Sequence, residues 1–551
     1  LSGKILATNI ENYQALFVLD ETGDIYEALI AFNSILPEKK IDIIKILETA
    51  KKSSKFKPIK LIENLTWSEF SKLNANVHKL QGIYPSVDFK RYYPGKEANA
   101  HLVGYVSSLS ENETYNNPFS KLANAKSGKI GIEKSSNLDL RGQIGNKRLE
   151  INAFGREIRE LNRIESKKGQ NIQLTIDRDL QSFCYEQLDG LSGSIAVTNI
   201  HSGEYLALTS APAFDPNKFY SGISHDDWNF LTKSLYKPLI NKAISNHYPP
   251  GSTIKPFVAL AALEKGFDPN KRINCDGSYE IKDTSTEKGS KSFHCWKKKG
   301  HGPMNMKEAI QRSCDVYFYT LAREIGINKI AEVCKRFGLG AKVFDDFVEE
   351  LTGTVPNKEW KKRELGYNWM IGETLVAGIG QGYFLATPAQ LSLATAQLVN
   401  GGKKINPKII YKDSDLQDQN KSIKNLADTK HLEFLKDCLF AATNEQGGTS
   451  YRSRLTGKYQ FAGKTGTSQV RRISEKEREE GIIKNKDLEW SRRDHGIFIG
   501  YGPVNNPKFS ISVLIEHGGS GSGAAAPIAK KVMNFIFKYK IDIKRIVITD
   551  A

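Results

Sequence analysis

A chain of 551 residues is too long for one ordinary hydrophobic core and is expected to divide into at least two domains. Its 39% hydrophobic and 26% charged residues are those of a globular protein, which excludes a membrane bundle and a disordered tail. A net charge of +17 favours an anionic partner or simple solubility, but basic tracts such as Lys297–Lys299 and Arg471–Arg472 are short and lack aromatic interleaving, so no nucleic-acid partner is expected.

No apolar run reaches about 18 residues, and no charged-then-apolar leader opens the chain. Leu1–Asn9 reads as the interior of a domain, so an upstream anchor is expected to have been cut away; a mature end left by natural cleavage is the alternative. Residues 1–165 carry short alternating strands such as Gln14–Asp20, a helix over Ile41–Lys51 and a shorter one over Trp67–Leu73. The Lys167-Lys168-Gly169 loop closes this half, giving expected domains 1–165 and 166–551. Asn171–Asp177 reads as a strand leading into a helix from Arg178. Ser194–Ile200 and Tyr205–Thr209 read as a hairpin joined at Ser202-Gly203. Thr253–Lys265, Lys307–Arg312 and Val316–Ile325 have helical character, and Phe461–Ser468 fits an edge strand. The charged Arg471–Arg493 reads as a mobile excursion between strands. Strands at Gly496–Tyr501 and Phe509–Ile515 precede a closing helix over Ala529–Lys540. Strands at both extremes and helices between them imply an α+β domain, one antiparallel sheet flanked by helices.

Three short strings carry chemistry. Pro249-Pro250-Gly251 stops the chain before Ser252, and Pro256 lies in the first turn of the following helix, where its missing N–H does little harm. Ser252 and Lys255 are three apart and share one helix face. A serine hydroxyl becomes a useful nucleophile when a base takes its proton, and a desolvated lysine can be that base. The helix N-terminus also favours negative charge developing at Ser252. A capping serine beside a solvated lysine is the plain alternative. Ser313-Cys314-Asp315 lies between two helical stretches, where it could equally be a cap. In Lys464-Thr465-Gly466-Thr467, Gly466 lets a substrate backbone approach, Lys464 offers a positive charge to a carboxylate, and Thr465 and Thr467 supply hydroxyls. The phosphate-loop spacing G-x-x-x-x-G-K is absent there.

In this order, S-x-x-K, S-x-D and K-T-G resemble the signature of the penicillin-interacting serine enzymes. The first half narrows the resemblance. Arg91–Gly95 with Ala100–Val106, Gly128–Glu133, Leu140–Gly142 and Asn152–Arg156 are similar to motifs of monofunctional class B penicillin-binding proteins. So are Gly380–Gly382, Ala386–Gln390 and Asp494–Gly500 in the second half, while Trp296 and Gly300-His301-Gly302 are most like the elongation-type members, with the division type as runner-up. The resemblance implies a penicillin-binding-protein/serine β-lactamase-like catalytic domain on an elongated, non-catalytic N-terminal pedestal of the dimerisation type. It implies a peptidoglycan D,D-transpeptidase that joins stem peptides through a serine acyl-enzyme and is a target of β-lactams. A D,D-carboxypeptidase or β-lactam hydrolase on the same fold, and a silent scaffold, are the alternatives. Ser252, Lys255, Ser313 and Lys464 would be catalytic, with Asp315, Thr465, Gly466 and Thr467 binding substrate. The family's third residue in the second motif is typically Asn, so Asp315 is a departure. The backbone N–H groups of Ser252 and Thr467 would form the oxyanion hole. Implied partners are a SEDS-type glycosyltransferase and the elongation-complex scaffold protein, the latter docking on the pedestal. The implied location is the bacterial inner membrane, held by a single N-terminal anchor with the catalytic domain in the periplasm.

Catalysis needs no cofactor in this family, but six cysteines call for an account. Cys184, Cys334 and Cys438 sit among apolar neighbours and read as small buried hydrophobes. Cys275, Cys295, His301 and Cys314 fall within 40 residues and suit a tetrahedral Cys3His zinc site, although the spacing is not that of a standard finger. Elongation-type members have a comparable metal site beside the cleft. A Cys275–Cys295 disulfide and free thiols remain open, as do His294 and Asp276 as substitute ligands.

Overall fold

Strands from the two ends of the second half meet in one five-stranded antiparallel sheet. Its order is Ala462–Ser468, His495–Gly502, Phe509–Ile515, Gly193–Asn199 and Tyr205–Ala211. The computed structural model describes residues 3–39, 41–52, 58–114, 119, 125–151, 157–282, 290–412 and 425–539. The Asn152–Arg156 motif lies outside the described residues.

Alternation along Phe509–Ile515 sorts the two faces of this sheet. Phe509, Ile511, Val513 and Ile515 pack with Ile195, Val197 and Phe498 against Leu180 and Cys184 of the helix Arg178–Glu186 and Val532, Met533 and Ile536 of the closing helix Ala526–Lys538. The opposite face turns Ser510 towards the helix Pro388–Val399, where its hydroxyl meets Ser392. That helix is buried along its whole length and starts from a capping box of Thr387 and Gln390, with Pro388 in the first turn. Both faces are therefore covered, and these strands carry few charges.

The chain divides into two compact units, Ile5–Pro94 and the remainder. The smaller is a three-stranded antiparallel sheet with Thr8–Phe17 between Ile59–Leu65 and Ile83–Tyr92. Phe17, Leu29, Phe32, Leu73 and Ile83 form its core with the helices Ile25–Ile35 and Trp67–Ala75. Asp24 caps the first helix, and Thr66 with Glu69 caps the last in a reciprocal box. A helix at Ile43–Lys52 matches the expected one to within two residues at its start. Residues from Gly95 to the domain division expected near residue 165 count with the larger unit by compactness. They include the hairpin Asn146–Ile151 with Glu157–Ile164.

Two expectations change. Asn171–Asp177 is not a strand: Leu174 makes a single bridge to Ile410, and the Thr175 hydroxyl bonds the Tyr205 carbonyl. Asp177 is used as the cap of the next helix, accepting from Asp179 and Leu180. The Arg471–Arg493 excursion is also more structured than its composition suggests. It holds the helix Glu475–Glu480, and Arg471 grips Glu477 through both carboxylate oxygens. Replacing Ile511, fully buried in the sheet core, by Ala is expected to cost about 2–5 kcal/mol, read as a lowered midpoint in denaturant unfolding.

Candidate active site

The three sequence strings converge where a short 3-10 turn, Gly251–Ile254, feeds the buried helix Lys255–Glu264. The segment before it is clamped on two sides. Tyr248 exchanges a pair of 2.9 Å backbone hydrogen bonds with Ala386, and Gly251 N donates to Gly380 O at 2.8 Å. Gly251 has φ of +55°, and a Cβ there would stand 2.6 Å from Thr467 O. Glycine is therefore required on both counts. Gly466 in the edge strand faces the same turn, and a Cβ on it would stand 2.8 Å from Thr253 Cγ2 and 2.9 Å from Pro250 O. Gln381 Nε2 donates to Thr467 O at 2.9 Å and ties the Gly380–Gly382 turn to that strand. Ser252 is half-buried at this junction.

Lys255 is fully buried. Its Nζ donates to Ser313 O at 2.9 Å, to Ser313 Oγ at 3.2 Å and to Asp315 Oδ1 at 2.8 Å. A buried ammonium needs this degree of pairing, because an unpartnered charge in the interior is strongly destabilising. Burial pushes the Asp315 carboxyl above the usual carboxylate range, against the pull of Lys255. Ser313 has a left-handed φ of +57°, which an L-residue adopts only when its surroundings enforce it. Here Cys314 N bonds Ala309 O, and the helix Asp315–Ile325 starts immediately afterwards.

Lys464 is also fully buried, and its Nζ donates to Thr465 O at 2.9 Å. Burial, with the Lys255 charge adding, holds its amine well below the ordinary lysine value. Thr465 Oγ1 donates to Thr449 Oγ1 at 2.8 Å. The structure thus brings Ser252, Lys255, Ser313, Asp315, Lys464, Thr465, Gly466 and Thr467 together at one junction. A hydroxyl, two amines and backbone N–H groups in one neighbourhood are the parts that acyl transfer to a serine needs. Sequence reading overlooked Thr449, whose only signal is a Gly-Gly-Thr turn, and treated Trp296 as a family marker alone. Trp296 N donates to Asp315 Oδ2 at 3.0 Å and its Nε1 to Ser313 O at 3.1 Å, so it shares the Ser313 carbonyl with Lys255 and takes the other oxygen of Asp315.

Behind this turn lie Cys275, Cys295, His301 and Cys314, whose sulfur and nitrogen atoms are all within 4.8 Å of one another. His301 Nδ1 is 3.7 Å from Cys275 Sγ and 3.6 Å from Cys295 Sγ. All six cysteines are unbridged, which removes the Cys275–Cys295 disulfide. Cys314, acting as donor, pulls the Cys295 thiol down and is itself pushed up. Asp315 N donates to Cys295 Sγ at 3.4 Å, so the cluster touches the catalytic turn directly.

The family described as the penicillin binding protein transpeptidase domain matches residues 193–534, and the penicillin-binding protein dimerisation domain matches residues 1–174. The chain is 34% identical to the peptidoglycan D,D-transpeptidase MrdA of Haemophilus influenzae, over 98% of this chain and 83% of the relative. It is 31% identical to MrdA of Escherichia coli K12, over 97% and 85%. Among solved structures it is similar to the complex between PBP2 and MreC from Helicobacter pylori, with a TM-score of 0.82, 29% identity and coverage of 97% of this chain and 96% of that one. It also resembles Pseudomonas aeruginosa PBP2 in complex with WCK 5153, with a TM-score of 0.68, 34% identity and coverage of 81% and 90%. Replacing Gly251 by Ala is expected to slow labelling of Ser252 by a fluorescent penicillin about 100-fold, since displacement of a nucleophile by about 1 Å costs that much, while the far-ultraviolet circular dichroism stays unchanged.

Proposed function

This chain belongs to the class B penicillin-binding proteins, and we propose that Ser252 is the nucleophile of its peptidoglycan D,D-transpeptidase activity. The observation that carries this reading is the Lys255 amine, buried and held by both Ser313 and Asp315 beside the turn that presents Ser252. Ser252 Oγ attacks the carbonyl of the penultimate D-Ala of a stem pentapeptide. Its proton passes to Ser313 Oγ, held by Lys255, and the Ser313 proton goes on to the departing amine of the terminal D-Ala. The oxyanion of the tetrahedral intermediate lies against the N–H groups of Ser252 and Thr467. The side-chain amine of a second stem peptide then attacks the acyl-enzyme, restores the Ser252 hydroxyl and leaves a 4→3 cross-link. β-Lactams acylate the same serine, and their opened ring blocks the second attack.

The role is in cell elongation, beside a SEDS-type glycosyltransferase and the elongation scaffold. Support comes from the likeness to a PBP2 solved together with MreC. Among the described residues no helix is long and apolar enough to cross a membrane. The inner-membrane anchor and periplasmic setting follow from the family resemblance.

Cys275, Cys295, His301 and Cys314 are the residues that would hold a zinc ion. A tetrahedron with Zn–S near 2.3 Å and Zn–N near 2.0–2.1 Å has sulfur–nitrogen edges of about 3.5–3.6 Å, close to the two sulfur–nitrogen separations of 3.7 and 3.6 Å. Three thiols and an imidazole also suit zinc in donor type. With every coordination position filled by protein, the ion would be a cross-link and not a Lewis acid. The residues would act by fixing Cys314, and with it the strained Ser313, against the loop that carries Cys295.

Intact mass after penicillin treatment is expected to rise by one penicillin, with peptide mapping placing the adduct on Ser252, no adduct in Ser252→Ala, and slow loss on standing. An adduct on any other residue overturns the site, and rapid loss of the adduct makes the protein a hydrolase. Elemental analysis is expected to find about one zinc per chain in the native protein and none in Cys295→Ala; native protein without zinc removes the metal assignment.

A further inference from the structure

Gly380-Gln381-Gly382 supplies no group to the reaction steps, yet it is hydrogen-bonded to both elements that carry the oxyanion N–H groups. Gly380 O accepts from Gly251 N, one residue before Ser252, at 2.8 Å, and Gln381 Nε2 donates to Thr467 O at 2.9 Å. The string is itself firmly seated. Gly380 N donates to Ala377 O at 2.9 Å and Gln381 N to Val376 O at 3.1 Å, so it closes the end of the helix Ile371–Gly378. That helix lies tight against the helix Asp315–Ile325, since a Cβ on Gly378 would stand 2.4 Å from Ala322 Cβ. Gly380 has φ of +73°, and a Cβ on it would stand 2.2 Å from Gly251 O, so glycine is what lets main chain meet main chain here.

The Gln381 bond also shows which way Thr467 faces. In an antiparallel ladder the N–H and C=O of one residue point to the same side of the strand. Ala462–Ser468 is the edge of the five-stranded sheet and pairs on one side only, with His495–Gly502. The Thr467 carbonyl is taken by Gln381, which is no part of the sheet, so that carbonyl and the Thr467 N–H both face the open side. Gly251 lies there too, for a Cβ on it would be 2.6 Å from Thr467 O and 3.2 Å from Thr467 N. The two oxyanion donors thus sit on separate pieces of chain, one on the turn and one on the strand. The spacing between them is whatever separation those pieces hold, and one dipeptide is bonded to both.

We propose that Gln381 is a positioning residue for acylation: its side-chain amide holds the Thr467 main chain at the spacing from the Ser252 turn that lets both N–H groups reach one oxyanion. The inference rests on Ser252 being the acylated nucleophile, and it deepens that reading by naming the side chain that sets the oxyanion hole. Such donors act when preorganised within about 2.7–3.1 Å of the developing charge. The contribution of Gln381 is therefore made in the tetrahedral state and not in the complex that precedes it.

The test measures the non-covalent dissociation constant and the acylation rate constant separately, for benzylpenicillin with wild type and with Gln381→Met, whose side chain has a similar length and no donor. Adduct formation is followed by intact mass over a range of penicillin concentrations. In Gln381→Met the acylation rate constant is expected to fall about tenfold, short of the roughly 100-fold or more that deleting an oxyanion donor costs, while the dissociation constant stays within about twofold. Phenylacetamidomethylboronic acid, which binds a nucleophilic serine as a tetrahedral adduct, is expected to bind the variant about tenfold more weakly, as a mimic of the transition state does when its stabilisation is lost. An unchanged acylation rate, an equal loss in both penicillin constants, or slower acylation with full boronic acid affinity overturns the proposal. If Gln381→Met does not fold, Gln381→Glu, which sets an acceptor against the Thr467 carbonyl, takes its place under the same criteria. Wild type acylated at a residue other than Ser252 overturns the nucleophile assignment and this proposal together, whereas Ser252 acylated equally fast in wild type and variant overturns this proposal alone.

Discussion

A lysine amine buried to zero exposure sets the terms for everything around it. Lys255 has three hydrogen-bonded partners, all supplied by the single turn Ser313–Asp315. Leaving such an amine unpaired is far more costly than a lost surface contact, so the turn and the helix Lys255–Glu264 must close on each other for the domain to fold. The strain at Ser313 is thereby compensated by the same contact that places its hydroxyl beside Lys255. Stability and chemistry rest on one set of bonds, and the departure from Asn to Asp at position 315 gives that set a negative charge.

Much of this was legible in the sequence, for reasons that particular residues make plain. The Pro249-Pro250-Gly251-Ser252 string reads as a stop because proline and glycine have few conformational options, and Gly251 indeed adopts a positive φ. The expected edge strand at Phe461–Ser468 is found as Ala462–Ser468, paired in register with His495–Gly502. Asn171–Asp177 was misread since β-branched and apolar residues there satisfy the strand template, while the deciding bonds come from Tyr205 and Ile410, far away in sequence. Thr449 left no trace for the same reason: its partners, Gln311 and Thr465, are brought to it only by tertiary folding.

Trp296 joins the cysteine cluster to the catalytic turn. It follows Cys295, stacks edge-on against His301 at 5.3 Å, and donates to the same two residues, Ser313 and Asp315, that hold Lys255. A rearrangement of the cluster reaches the lysine through this residue, through the Asp315 N–H to Cys295 bond, or along the main chain from Cys314 to Ser313 and Asp315. The four donor residues and the motif residues form one mechanical unit, although they look like separate features in the sequence.

The edge strand leaves almost no room on either side of Gly466. The Pro250–Thr253 turn presses on it from one side, and Gly521 approaches so closely from the other that a Cβ there would lie 2.3 Å from Gly466 O. Backbone atoms, which cannot be trimmed by mutation, occupy both flanks. A side chain at Gly466 or at Gly521 would have to displace main chain, so the smallness of both positions is imposed by their neighbours.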